Sequence, residues 1–492
     1  MLKITTILAA AVAVVGHAHA STLRFQSLVE MFEGIPEVVQ AQPEATETPK
    51  TYVQLKPADS IIVTDPREHI VIIHPTDKKK SKVIPAGFCG DIESLAGFYP
   101  IGDNKEYFYW VFPSLNDPAN DPIIFWLSGG PGCSSGVALF MEQGPCTITK
   151  DGKSTVNNDW AWNRNATVVF MDQPAGVGFS SGPETARSET EIGRQMHTFV
   201  EDFLGSNENL RDNRLFIMGE SYGGHYVPAV GAAIHRHNIL RLGKHINLAG
   251  IAVGNGLTNG VVQVPEYLNF YKHNPLNKPL TSDDELAHME KMAPECTRQI
   301  IQCQQTHDTD ICEKSSNFCN GLFMAPIQKA GLNQYDVRKM SVGPMAYDMS
   351  PLTTFLNNKD NQAILGVDKT WEPCNMEVHQ HFMHEWMLSF TPNVTMLLDA
   401  DIPVMLYAGD MDFSVNYLGV KAFARSVPWV GQEDFLAAED KPWIANDELA
   451  GFVRRVGPLS FVQVHNAGHM VPMDQPENSL NLIHAFMFGE TE

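Results

Sequence analysis

The sequence predicts an α/β fold, with a mostly parallel central sheet covered by helices on both faces. Three observations predict it. Short apolar, β-rich runs recur along the chain and close in glycine or a polar residue. Stretches with helical period lie between several of them. One run leads into Gly219-Glu220-Ser221-Tyr222-Gly223, a serine between glycines where a strand pattern gives way to a helical one.

In chain order, the first element is a leader. Met1-Leu2-Lys3 carries one positive charge, "ILAAAVAVVG" is apolar, and Ala18-His19-Ala20 has the form of a signal-peptidase site. Residues 1–20 are expected to be a signal peptide that sends the chain into the secretory pathway. They are too short for a comfortable membrane span, and no other run of about 18 apolar residues exists. Residues 21–84 differ in composition from the remainder of the chain: an amphipathic "LRFQSLVEMF", Pro- and Glu-rich text, then Lys78-Lys79-Lys80. They are expected to be a removable propeptide.

From residue 85 the strand pattern starts. "YFYWVF" (107–112), "PIIFWLSGG" (122–130), "ATVVFMDQP" (166–174), "RLFIMGES" (214–221), "NLAGIAVGNG" (247–256), "IPVMLYAGD" (402–410) and "FVQVHNAG" (461–468) read as strands. Stretches 188–204, 223–237 and 477–488 read as helices. In such a sheet the chemistry sits at the carboxyl ends of the strands. Residues 257–395 break the rhythm, being Met-, His- and Cys-rich and helical in period, and are expected to be an insertion roofing the site.

The formal net charge of −22 opposes nucleic acid or anionic lipid as a partner, and fits an acidic compartment, where carboxylates partly neutralise. Eight cysteines suit an oxidising compartment. Cys296, Cys303, Cys312 and Cys319 are spaced 7, 9 and 7 apart, so nested bridges Cys296–Cys319 and Cys303–Cys312 would staple two antiparallel segments. Metal ligation would need closer pairs. Asn165-Ala166-Thr167 and Asn393-Val394-Thr395 are glycosylation sequons.

The sharp turn at Ser221 would project its hydroxyl above the sheet, beside the positive end of the following helix. It needs a base and an orienting carboxylate, in the chain order Ser, Asp, His. His469 ends the last strand, and Asp410 directly follows Ala408-Gly409 where the next turn begins; Asp412 competes with it. His465 falls inside a strand pattern and reads as structural. His379, His381 and His384 lack metal-site spacing and read the same way.

Taken together, "WLSGGPGCSS", "MDQPAGVGFS", "GESYGGHY", "AGDMDF" and "AGHMVPMDQPE" resemble the serine carboxypeptidases, the carboxypeptidase Y branch above all, from about residue 88 onward. The resemblance implies an α/β-hydrolase fold with a triad of Ser221, Asp410 and His469, and an oxyanion hole made by the Gly130 and Tyr222 N–H groups. It implies a Cys133–Cys374 bridge and the nested pair, which leaves Cys89 with Cys146. It also gives Glu220 and Glu142 the task of binding the substrate's terminal carboxylate by sharing a proton, since contacting carboxyls cannot both ionise cheaply. Ser128 stands where the family commonly has asparagine. Val137, Met141 and Met470 match leaving-residue pocket positions, and all are apolar. The expected activity is removal of hydrophobic C-terminal residues from peptides and proteins at acidic pH, with no cofactor, in a vacuole, a lysosome or outside the cell. An acyltransferase on the same scaffold and a non-catalytic protective protein are the alternatives.

Overall fold

The structure is a computed structural model that describes residues 61–64, 70–75, 80–102, 104–183, 185–343 and 345–489. The leader and most of residues 21–84 lie outside the described residues. The described strands are β1 (Ile61–Thr64), β2 (Ile70–Ile73), β3 (Ser81–Ile84), β4 (Ser94–Gly102), β5 (Lys105–Phe112), β6 (Ile123–Leu127), β7 (Cys146–Ile148), β8 (Thr155–Asn157), β9 (Thr167–Asp172), β10 (Leu215–Glu220), β11 (Leu248–Gly254), β12 (Leu332–Asn333), β13 (Asp336–Met340), β14 (Val404–Gly409), β15 (Lys441–Ala445), β16 (Glu448–Val456) and β17 (Leu459–Val464).

Eleven of these form one sheet in the order β15-β16-β17-β14-β11-β10-β6-β9-β5-β4-β3. Its centre, from β17 through β14, β11, β10 and β6 to β9, is parallel, and both flanks are antiparallel. Ile217 of β10 pairs with Ile251 of β11 and Phe125 of β6. The central strands are apolar throughout because both faces are covered.

Strand alternation divides the core into two layers. Ile123, Phe125, Leu127, Leu215 and Ile217 point to one side, onto Phe199 and Phe203 of α2 (Glu189–Ser206) and Val227 and Val230 of α3 (Gly223–Leu240). Ile124, Trp126, Phe216 and Met218 point to the other, onto Leu480 and Ile483 of α6 (Pro476–Phe488). All seven expected strands and the three helices are present.

The antiparallel edges are less legible in the sequence. Residues 81–84, which the composition assigns to the tail of the removable segment, are built in as β3, pairing with β4 from Ser81↔Gly97 to Ile84↔Ser94. Ile73 and Ile84 are fully buried, and His74 N–H donates to Asn207 Oδ1. The basic run ahead of Ser81 hides this short strand, whose apolar content is only Val83 and Ile84.

The insertion lies between β11 and β14, as its composition suggests. Helices α4 (Asp283–Thr306) and α5 (Thr309–Lys329) form its bulk, with their own small core around Phe270, Ile300, Phe323 and Phe413. A Ser282/Glu285 capping box starts α4 and the Asp308 side chain caps α5. Both nested bridges, Cys296–Cys319 and Cys303–Cys312, join the two helices.

Candidate active site

Strand β10 ends at Glu220, and Ser221 takes φ +64°, a left-handed conformation unusual for a residue with a side chain. The turn is fixed on both sides. Ser221 N–H donates to Gly254 O, and Ser221 O accepts from Gly224 N–H and Leu257 N–H. Its neighbours must be glycines. A Cβ on Gly129, just past β6, would lie 2.5 Å from Glu220 O and 2.6 Å from Tyr222 N. One on Gly219 would lie 2.4 Å from Leu127 O. Helix α3 then begins at Gly223, and its N-terminal partial positive charge faces the serine.

His469 sits in the loop after β17. Its N–H donates to Tyr335 O (2.7 Å), and its ring packs on Tyr335 with centroids 4.9 Å apart. Its Nδ1 is 2.7 Å from a carboxylate oxygen, and that oxygen belongs to Asp412, not Asp410. The structure therefore corrects the expected acid. Asp412 is fully buried; its Oδ2 also accepts from Asn255 Nδ2 and Val415 N–H, and its Oδ1 accepts from Ser414 N–H.

Asp410 faces elsewhere. Its backbone still follows the strand, with Asp410 N–H on Val464 O and Met411 N–H on Ala467 O. This carries its side chain to Asn466 N–H, 2.9 Å away, and burial pushes its carboxyl up to about 6. The chain must advance two residues before a carboxylate meets the imidazole. The signal was present in "DMDFSV": an aspartate followed at two and three residues by N–H groups that it can accept from.

The two glutamates meet as expected. Glu220 ends β10, Glu142 follows α1 (Gly136–Met141), and both are buried. Glu142 is pushed up to about 7, chiefly by burial. Glu220 is raised well above the ordinary carboxyl range by burial, by the charge of Glu142 and by their mutual hydrogen bond. Taken as carboxylates, Glu142 Oε2 and Glu220 Oε2 would each lack a donor, whereas a proton held between the two groups satisfies the pair. Glu220 Oε1 stands 4.0 Å from His469 Nε2. The acid pair thus lies directly beside the base.

Ser128 is buried, accepts from Trp126 Nε1 at 3.0 Å, and donates its backbone N–H to Ser135 Oγ. Its own hydroxyl proton remains available for another acceptor. Val137 and Met141 lie one turn apart on α1 and so share a face. Met470, adjacent to His469, is buried. A strained serine, a carboxylate-oriented imidazole and a protonated acid pair together suit nucleophilic acyl transfer on a substrate that carries an anionic group.

The serine carboxypeptidase family model matches residues 87–489. The chain belongs to that family. Serine carboxypeptidase 3 of Oryza sativa subsp. japonica is 36% identical over 414 residues, which are 83% of this chain and 81% of that protein. Carboxypeptidase Y of Komagataella phaffii is 35% identical, covering 79% of this chain and 74% of its own. Carboxypeptidase Y of Schizosaccharomyces pombe is 35% identical over 81% of this chain, which spans only 41% of that longer protein. The crystal structure of Kex1(Δ)p, a prohormone-processing carboxypeptidase from Saccharomyces cerevisiae, superposes with a TM-score of 0.72 at 24% identity, covering 82% of this chain and 92% of that one. This shows the shared α/β-hydrolase fold.

In this member of the serine carboxypeptidases, Cys133–Cys374 and Cys89–Cys146 are both bonded. The first pins the insertion beside Gly130, helped by Ser134 N–H on Pro373 O and Asn375 N–H on Gly132 O. His379 packs against Trp386, with Nδ1 3.2 Å from Pro131 O, and His465 packs against Phe452. Asn165 and Asn393 are half-buried, Asn393 Nδ2 contacting Pro228 O at 3.4 Å.

Proposed function

We propose that the protein removes C-terminal hydrophobic residues from peptides and proteins at acidic pH, through an acyl-enzyme on Ser221. The observation that carries this reading is the 2.7 Å Asp412–His469 contact with the buried Glu142–Glu220 pair beside the same imidazole, Glu220 Oε1 standing 4.0 Å from Nε2. His469 Nε2 takes the Ser221 proton as the oxygen attacks the last peptide carbonyl, and then returns it to the leaving amine. Asp412 fixes the ring and stabilises the imidazolium. Gly130 and Tyr222 N–H groups receive the oxyanion; Gly129, packed without a side chain against Tyr222 N, brings the two loops together.

Selection of the chain end follows from the acid pair. A carboxyl that keeps its proton donates to the substrate's carboxylate, whereas an ionised one repels it. Since Glu142 is raised to about 7, the donor is present below that pH and lost above it. Ser128 adds a second donor. Val137, Met141 and Met470 form an apolar, adaptable pocket for the departing residue.

The chain enters the secretory pathway through residues 1–20, is glycosylated at Asn165 and Asn393, and acts in a vacuole, a lysosome or outside the cell. Residues 21 to about 84 are its removable propeptide, of which residues 81–84 pair with β4 as β3, and N-terminal sequencing of active material, expected to begin near residue 85, tests this. The test is peptide digestion at pH 5, followed by mass spectrometry. Residues should leave singly from the C-terminus, an amidated peptide should bind more weakly, and Ser221→Ala should abolish release. Internal cleavage, or equal KM for acid and amide, would overturn the reading.

A further inference from the structure

Beyond the triad, a charged cluster in the insertion holds the base in place. We propose that Arg338 is a positioning residue for His469, clamping Asp336 of the insertion hairpin to Asp474 of the histidine loop. The hairpin β12–β13 reaches down to both catalytic loops. Gln334 O accepts Phe413 N–H and Ser414 N–H, Val337 N–H donates to Met411 O, and Tyr335 O accepts His469 N–H. Three of the four residues from Gln334 to Val337 therefore bond to the loop carrying Asp412 or the loop carrying His469.

Something must keep that hairpin in register, and the clamp does so. Arg338 grips Asp336 with two bonds, Nε to Oδ1 and Nη2 to Oδ2, each 2.8 Å. Its Nη2 also reaches Asp474 Oδ2 at 3.1 Å, and its Nη1 reaches Asn466 O at 2.9 Å. Lys339 Nζ lies 2.9 Å from Asp336 Oδ2 and from Asp474 Oδ1. Asp474 Oδ2 in turn accepts Gly468 N–H at 2.7 Å, one residue before His469. Two cations thus face two carboxylates, one of them fully buried. The paired fork on Asp336 with a third nitrogen on Asn466 needs the planar guanidinium, which an ammonium cannot reproduce.

Arg338→Gln leaves Asp336 buried without its fork and frees the loop bearing His469. Misplacing a base by about 1 Å costs on the order of 10²-fold in rate. The expected result is a kcat lower by ~10²-fold, with peptide KM within about threefold because Glu142 and Glu220 are untouched. The far-downfield proton NMR signal of the His469–Asp412 bond should broaden or shift. Arg338→Lys should recover part of kcat by keeping the charge.

The inference rests on the catalytic role proposed for His469. That role is tested separately by His469→Ala, which fails if activity survives. With that role established, a kcat within about threefold of wild type in Arg338→Gln, or a lowered Tm with an unaltered NMR signal, would overturn the clamp. Should Arg338→Gln fail to fold, Asp474→Asn keeps the Arg338–Asp336 fork and the Arg338–Asn466 bond while removing the charge through which Arg338 and Lys339 hold residue 474. Its kcat and NMR signal then decide in the same way.

Discussion

The molecule holds two carboxyl pairs with raised pKa values on either side of the nucleophile turn, and only one of them is suited to read a substrate. Glu142 and Glu220 lie next to His469. Glu189, the first residue of α2, and Glu385, in the insertion, meet behind Tyr222: Glu189 N–H donates to Glu385 Oε2 at 2.8 Å, and the Glu189 charge raises the Tyr222 phenol. Burial raises both pairs, Glu385 to about 7 and Glu189 well above its ordinary value, where the Glu385 charge adds to it. The second pair faces aromatic rings and no base: Glu189 is buried, Glu385 is half-buried, and the nearby Tyr222 ring packs on Tyr226 and Trp386. A raised carboxyl pKa therefore marks burial, and only its outlook marks a site.

The severest way to break that comparison uses the two aspartates, which differ in the same sense. Asp410 is raised to about 6 yet faces Asn466; Asp412 faces the base. Asp412→Asn should lower kcat by ~10⁴-fold, as loss of the orienting acid does in triads. Asp410→Asn should stay within several-fold of wild type, by steady-state kinetics with a peptide substrate. If the two lose activity equally, burial and not orientation governs.

A second test sharpens the glutamate contrast. With the donor titrating at about 7, peptide KM should rise roughly tenfold from pH 6 to pH 8, while that of the amidated peptide stays flat. The double variant Glu142→Gln with Glu220→Gln keeps donors that do not titrate and should flatten the peptide profile. Glu189→Gln with Glu385→Gln should leave it unchanged.

The smallest effect belongs to the Glu189–Glu385 pair and is one of stability. Glu385 binds its proton more tightly folded than unfolded, so its contribution is complete below its ordinary, unfolded pKa and is lost as pH rises toward about 7. Tm should fall by a few degrees across that window. Glu385→Gln should reduce the slope without altering kcat at pH 5. A slope equal to wild type would remove Glu385 from the account.

How much of this was legible in the sequence depends on how local each signal is. Ser221 and His469 stand in runs where strand, turn and neighbouring glycines are contiguous, so the motif carries its own geometry. Asp412 was a matter of phase: whether a turn begins one or three residues after Gly409 depends on hydrogen bonds to Val464 and Ala467, more than 50 residues away. The Arg338 clamp has no local signature, because Asp474 lies far from Asp336 in sequence and meets it only through the fold. Strands β15 and β16 escaped for another reason. "KPWIA" and "ELAGFVRRV" are charged and half-exposed, as an antiparallel edge allows, and so lack the apolar run that marks the parallel centre.

The triad's distribution along the chain has a consequence for biosynthesis. Ser221, Asp412 and His469 follow β10, β14 and β17 in that order, so the base is the last member to be made, 248 residues after the nucleophile (469 − 221). At typical synthesis rates that gap is roughly 10–50 s. A ribosome-bound chain that already displays its serine therefore has no imidazole to activate it. During synthesis the growing protein is inert toward its neighbours, whether or not a propeptide also restrains it.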